Sequence, residues 1–146
     1  MVNKSILLVE DNPDDIELTL HAFKKNHMPY PVVIANDGVE AVKQLFEEGE
    51  FGPGHTLPSL VLLDLKLPKI DGLEVLCRIR SNERTRSLPV VILTSSRDQS
   101  DLESGYKLGA NSYIVKPLDF TRFLDMTRLL EQYWLNTNEP PPSACL

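Results

Sequence analysis

Apolar residues along the chain gather in five short runs, each followed by a longer stretch of helical periodicity. Lys4–Glu10 holds Ile-Leu-Leu-Val, Pro31–Ala35 holds Val-Val-Ile, and Leu60–Asp64 begins Leu-Val-Leu-Leu. Pro89–Thr94 holds Val-Val-Ile-Leu, and Asn111–Val115 holds Tyr-Ile-Val. A continuous apolar run has no polar face, so these segments read as strands covered on both sides. The stretches between them carry helix start signals. Asn12 caps the first, Pro13 at the first helical position forfeits no needed N–H, and Asp14 and Asp15 suit the positive end of the helix dipole. Ile16, Leu20 and Phe23 form its apolar stripe, which fades near His27 before Met28-Pro29. Asp37 with Glu40 has the form of a capping box, with Val39, Val42 and Phe46 as the buried face behind it. Asp71 and Glu74 bracket a third start, followed by Val75, Leu76 and Ile79. Asp98 and Asp101 open a fourth helix, which Gly109 closes as a left-handed cap. Phe120, Phe123, Thr127, Leu130 and Trp134 share one face of the last helix. Glu47–Ser59 is a loop by its Gly and Pro content, and longer than the usual connection of about two to six residues.

Five βα units in succession predict an α/β fold with a parallel sheet, right-handed crossovers and helices on both faces. The natural arrangement of five strands is the flavodoxin-like order 2-1-3-4-5, whose ligand site is the switch point between strands 1 and 3. Residues 1–135 form the predicted domain. The tail 136–146, with Pro140-Pro141-Pro142, has too few apolar residues to fold alone. A composition of 42% hydrophobic and 25% charged residues is that of a globular domain rather than a disordered chain. The net charge of −6 argues against direct DNA binding, which needs a basic patch. The apolar runs are far shorter than the roughly 20 residues of a membrane span. Met-Val-Asn-Lys-Ser leads straight into a strand with no secretory pattern. Cys77 and Cys145 have no metal-ligand spacing and read as free thiols in a reducing cytosol, so a cytoplasmic location is expected.

The carboxyl ends of the strands carry the chemistry. Strand 1 ends in Glu10-Asp11, strand 3 in Asp64, strand 4 in Thr94-Ser95 and strand 5 in Lys116. Acids at strand ends are commonly turn residues or helix caps, the reading that fits Asp14, Asp15, Asp37 and Asp71. Glu10, Asp11 and Asp64 differ because the topology brings them to one point. Two carboxylates about 5 Å apart at an effective dielectric near 20 repel by roughly 3 kcal/mol, so protons or a cation must relieve them. Mg²⁺, with its preference for hard oxygen ligands and retained waters, suits such a cluster. A metal alone leaves Thr94 and Lys116 unexplained, whereas a phosphoryl group needs a cation, a hydroxyl and a positive side chain together. Asp64 is then the nucleophile, since a carboxylate can accept a phosphoryl group.

From about Lys4 to Trp134 the sequence resembles the receiver domain of two-component response regulators. The resemblance rests on Glu10-Asp11, Asp64 after its apolar run, Leu67-Pro68 before Asp71-Gly72, Thr94 after Val-Val-Ile-Leu, and Lys116-Pro117. It implies Asp64 as phosphoacceptor, Asp11 as a direct Mg²⁺ ligand, Glu10 acting mainly through bound water, and the Lys66 carbonyl as a further ligand. It also implies that Thr94 and Lys116 contact the phosphoryl oxygens and that the Tyr113 rotamer couples to Thr94. Glu10 stands where many members have Asp and still supplies a carboxylate. Ser95 has the small size the family needs beside the site, and Lys66 and Ser96 occupy variable flanking positions.

A narrower likeness joins the chain to stand-alone regulators partnered with bacterial phytochrome kinases. Tyr30, Ala35-Asn36-Asp37-Gly38, the segment from Ser104 to Asn111, Tyr133-Trp134-Leu135 and the long loop carry it. It implies a light-sensing histidine kinase as donor, a case of the broader expectation that a phosphohistidine on a kinase or phosphotransfer protein donates to Asp64. It also implies a homodimer through the helix 4–strand 5–helix 5 face, with Trp134 either packing across that dimer or finishing the core stripe. With no output domain expected after the last helix, the signal passes to a downstream protein or by onward phosphotransfer. Three rivals fit less well. A haloacid-dehalogenase-type phosphatase needs an acid where Lys66 stands. A nucleotide binder needs a glycine- or hydroxyl-rich loop where Glu10-Asp11-Asn12-Pro13-Asp14-Asp15 would repel phosphate. A receiver-like module that is never phosphorylated would not need the full residue set.

Overall fold

The structure, a computed structural model, describes residues 4–141. The first three residues, Pro142 and Cys145 lie outside the described residues. All five predicted strands form, trimmed to their apolar runs: β1 (Ile6–Val9), β2 (Val32–Ala35), β3 (Leu60–Leu63), β4 (Val90–Thr94) and β5 (Ser112–Val115). They pair in parallel in the order β2-β1-β3-β4-β5, the expected flavodoxin-like arrangement. The helices are α1 (Pro13–Lys25), α2 (Gly38–Phe46), α3 (Gly72–Ser81), α4 (Gln99–Lys107) and α5 (Phe120–Leu130), which runs on into a π-helical turn, Glu131–Leu135.

Because strand side chains alternate between faces, each strand feeds two cores. On one side Leu7, Val9, Val61, Leu63, Val90 and Ile92 pack with Ala41 and Leu45 of α2 and Val75, Leu76 and Ile79 of α3. On the other, Ile6, Leu8, Leu60, Leu62 and Val91 pack with Phe23 of α1, Leu130 of α5 and Leu135. Complete burial of one such side chain is worth about 1.5–3 kcal/mol, so β1 and β3, buried throughout, anchor the fold.

The helix starts follow their signals with one exception. Asn12 Oδ1 accepts from the N–H groups of Asp14 (2.9 Å) and Asp15 (3.4 Å), Asp37 from Glu40 (2.7 Å), and Asp71 from Glu74 (2.9 Å). Asp98 precedes α4 but makes no capping bond. Gly109 takes the left-handed conformation after α4, with φ +103°.

Three apolar stripes are corrected. Thr19 and Ala22 are buried with Phe23, while Ile16 and Leu20 are only half-buried. In α2 the buried residues are Gly38, Ala41, Val42 and Leu45, which share one helical face, while Val39 and Phe46 lie at its margin. At the chain's last helix, the π-helical turn lengthens the interval after Leu130 to five residues. Leu135, 1% exposed, therefore enters the core where Trp134 was expected, and Trp134 packs half-buried beside it.

The loop between α2 and β3 lacks regular structure, as predicted. It is held by Arg84, whose guanidinium donates to the carbonyls of Leu45, Phe51, Gly52 and His55.

Candidate functional site

Backbone pairing extends one residue past the strands and fixes each candidate side chain. Glu10 N–H donates to Ala35 O (3.0 Å), Asp64 N–H to Val9 O (3.0 Å) and Lys116 N–H to Thr94 O (2.8 Å). Glu10 and Asp64 therefore emerge side by side at the carboxyl end of the sheet, and Lys116, at the end of β5, reaches them across β4. Asp11, one residue further on, is exposed at the rim. Oxygens of Glu10, Asp11 and Asp64 all lie within 4.8 Å of one another.

Lys116, its side chain 11% exposed, sits over this cluster. Its Nζ donates to Glu10 Oε1 at 2.6 Å, Asp15 Oδ2 at 2.9 Å and Asp64 Oδ2 at 3.2 Å. Burial pushes the Glu10 carboxyl up to about 7, against the Lys116 hydrogen bond and with the added repulsion of Asp64. For Lys116 burial acts to lower the pKa. Its bonds to Glu10 and Asp15 and the charge of Asp64 outweigh that effect, and the ammonium titrates above its ordinary range. The ammonium thus already occupies the place of a counter-cation. Three converging hard oxygens with Asp11 open to solvent suit a small dication that keeps part of its water shell.

The surrounding loops complete the pocket. Lys66 N–H donates to Asp64 Oδ1 (3.3 Å), which keeps the Lys66 backbone beside the cluster. Gly72 closes this loop against α3: a Cβ there would lie 2.2 Å from Asp64 O, so only glycine lets the helix start so near. Thr94 is fully buried, and its Oγ1 accepts from Ser96 N–H (3.4 Å). Tyr113 O–H donates to the Ser96 carbonyl (3.0 Å), which joins β5 to the loop after Thr94. Ser96 Oγ donates to Asp101 Oδ2 (2.5 Å), and Lys66 Nζ lies 3.6 Å from the same oxygen. Ser95 is exposed. All the predicted site residues thus lie at one end of the sheet. Asp15 was the one missed. Read only as a first-turn acid, it is a direct partner of Lys116, and nothing in its local sequence separates it from Asp14.

With this sheet order and this set of strand-end residues, the chain belongs to the response regulator receiver domain family of two-component systems, whose model matches residues 6–128. It is similar to the probable methanogenesis regulatory protein FilR2 of Methanothrix harundinacea, at 41% identity over 95% of this chain and 88% of that protein. Among solved structures, the phosphorylated cyanobacterial phytochrome response regulator RcpA is 39% identical, with a TM-score of 0.87 over 97% of this chain and all of that one. The Mn²⁺-bound response regulator Rcp1, from Synechocystis, is 37% identical, with a TM-score of 0.84 over 95% of this chain and 99% of that one. No helix among the described residues is long and apolar enough to cross a membrane.

Proposed function

We propose that this protein is a single-domain response regulator that accepts a phosphoryl group from a histidine kinase or phosphotransfer protein onto Asp64, in a Mg²⁺-dependent reaction. The observation that carries the reading is the convergence of three carboxylates under one ammonium at the switch point of the sheet. Asp64 attacks phosphorus, the phosphohistidine nitrogen leaves, and an acyl phosphate forms on Oδ. Glu10, Asp11, Asp64 and the Lys66 carbonyl would hold the cation, which offsets the negative charge gathered as the phosphoryl group arrives. Lys116 supplies a second positive charge, and Thr94, at the end of β4, a hydroxyl for a phosphoryl oxygen.

Thr94 and Tyr113 meet at the Ser96 backbone, so a shift of either is felt by the other. That link carries phosphorylation to the α4–β5 surface as a change in its populations. Leu102 and Tyr106 are exposed on α4, as are Leu118 before α5 and Leu129 on it, and these apolar side chains support a homodimer or a downstream protein contact. The likeness to RcpA supports a phytochrome-type donor. The acidic charge supports output without direct DNA contact, and a cytoplasmic location belongs to the same reading. The domain is read as 1–135, with 136–146 as its tail.

The test is intact mass after incubation with Mg²⁺ and acetyl phosphate. A gain of one phosphoryl group, absent with chelator and in Asp64→Asn, is expected. No gain in a folded, Mg²⁺-binding protein, even with a cognate kinase, would make it a binding module.

A further inference from the structure

An ammonium has three N–H donors, and the structure gives each of those on Lys116 a carboxylate. Two of these partners, Glu10 and Asp64, also belong to the oxygen cluster; Asp15 does not. The following inference rests on the Mg²⁺ site proposed above. When Glu10 and Asp64 turn their oxygens to Mg²⁺, Lys116 must loosen its hold on both. A poorly solvated ammonium with no remaining partner is costly, and that cost opposes metal binding. Asp15 is the single partner the reaction leaves alone.

We propose that Asp15 is a positioning residue for Lys116: it retains the ammonium when Glu10 and Asp64 are engaged, and so sets how readily the site takes its metal. Local structure prepares it for this. Asp15 lies in the first turn of α1, its N–H is held by the Asn12 cap, and its carbonyl accepts from the hydroxyl of buried Thr19 at 2.8 Å. Its carboxylate is thus offered from a fixed backbone rather than a loop, and its side chain is one-third exposed. Asp14, with the same charge one residue earlier, is exposed and forms no ion pair among the described residues. The pair therefore separates position from charge.

The experiment is Mg²⁺ titration of the full chain by calorimetry, with NMR spectra to verify folding, on wild type, Asp14→Asn, Asp15→Asn, Lys116→Met and the double variant Asp15→Asn/Lys116→Met. Asp15→Asn is expected to weaken Mg²⁺ binding about fivefold, the scale of one partly exposed ion pair. Asp14→Asn should weaken it less than about twofold, and so should Asp15→Asn added to Lys116→Met, because coupling vanishes when one partner is gone. Equal effects of the two asparagine variants would overturn the proposal. So would an Asp15→Asn loss that persists undiminished without Lys116, since the effect would then be charge acting through space. A wild-type protein that binds no Mg²⁺ would overturn the site reading and this inference together. Wild-type binding without the coupling would overturn only this inference.

Discussion

The two ends of the sheet each draw in a long cationic side chain and hold it differently. At the amino end Arg84 fans its guanidinium over four backbone carbonyls and fastens the α2–β3 loop to the segment after α3. Arg80 does likewise with the carbonyls of Arg86, Leu88 and Gly109. At the carboxyl end Lys116 faces three carboxylates. Neutral carbonyls offer a fixed cation no rival, and the planar fork of arginine matches several of them at once. Carboxylates accept protons, metals and other cations, and a lysine is a single point charge on a flexible stem. One end is fastened; the other is arranged for exchange.

The sharpest break of this contrast is Arg84→Ala. Bonds from a charged donor contribute about 1.5–3 kcal/mol each where buried, and Arg84 is only partly so, which predicts a loss of about 3 kcal/mol in urea unfolding. Mg²⁺ affinity should not change. A matching fall in metal affinity would mean that the two ends are not separable.

Lys116→Met comes next. Without metal it leaves Glu10 (3% exposed) and Asp64 (7% exposed) with no ammonium between them. The cost should be about 2 kcal/mol, below the roughly 3–5 kcal/mol of a fully buried broken pair, because the Glu10 carboxyl, already raised to about 7, can take up a proton. Saturating Mg²⁺ should restore most of that loss, because the cation takes over the counter-charge. An equal loss with and without Mg²⁺ would make Lys116 a fastener of the same kind as Arg84.

What could be read in advance follows the same division. Unbroken apolar runs fix which segments are strands, and strand order then brings Glu10, Asp11, Asp64, Thr94 and Lys116 to one end without any knowledge of side-chain geometry. Asp15 escaped because its role depends on how far Lys116 reaches across the sheet, a distance that a sequence separation of 101 does not encode. Arg84 escaped for the same reason, since its acceptors are backbone atoms of whatever loop lies opposite. Leu135 displaced Trp134 because one π-helical turn shifts the face by a residue, and apolar spacing alone assumes a uniform helix.

The smallest expected effect lies at the rim, where Lys66 shares Asp101 with the Ser96 hydroxyl. The Lys66 side chain is 66% exposed, so its pairing with Asp101 is weak and easily exchanged. The phosphoryl group proposed on Asp64, two residues away, would be a more highly charged acceptor than one carboxylate. Lys66 should then turn to it, stabilise its charge and obstruct the attacking water. Lys66→Ala is accordingly expected to shorten the acyl-phosphate half-life about twofold, in the range of an exposed ion pair. Asp101→Asn, which releases Lys66, is expected to lengthen it. Opposite signs in the two decay rates would extend the exchange behaviour of Lys116 outward to Lys66, and unchanged decay in Lys66→Ala would confine it to the buried lysine.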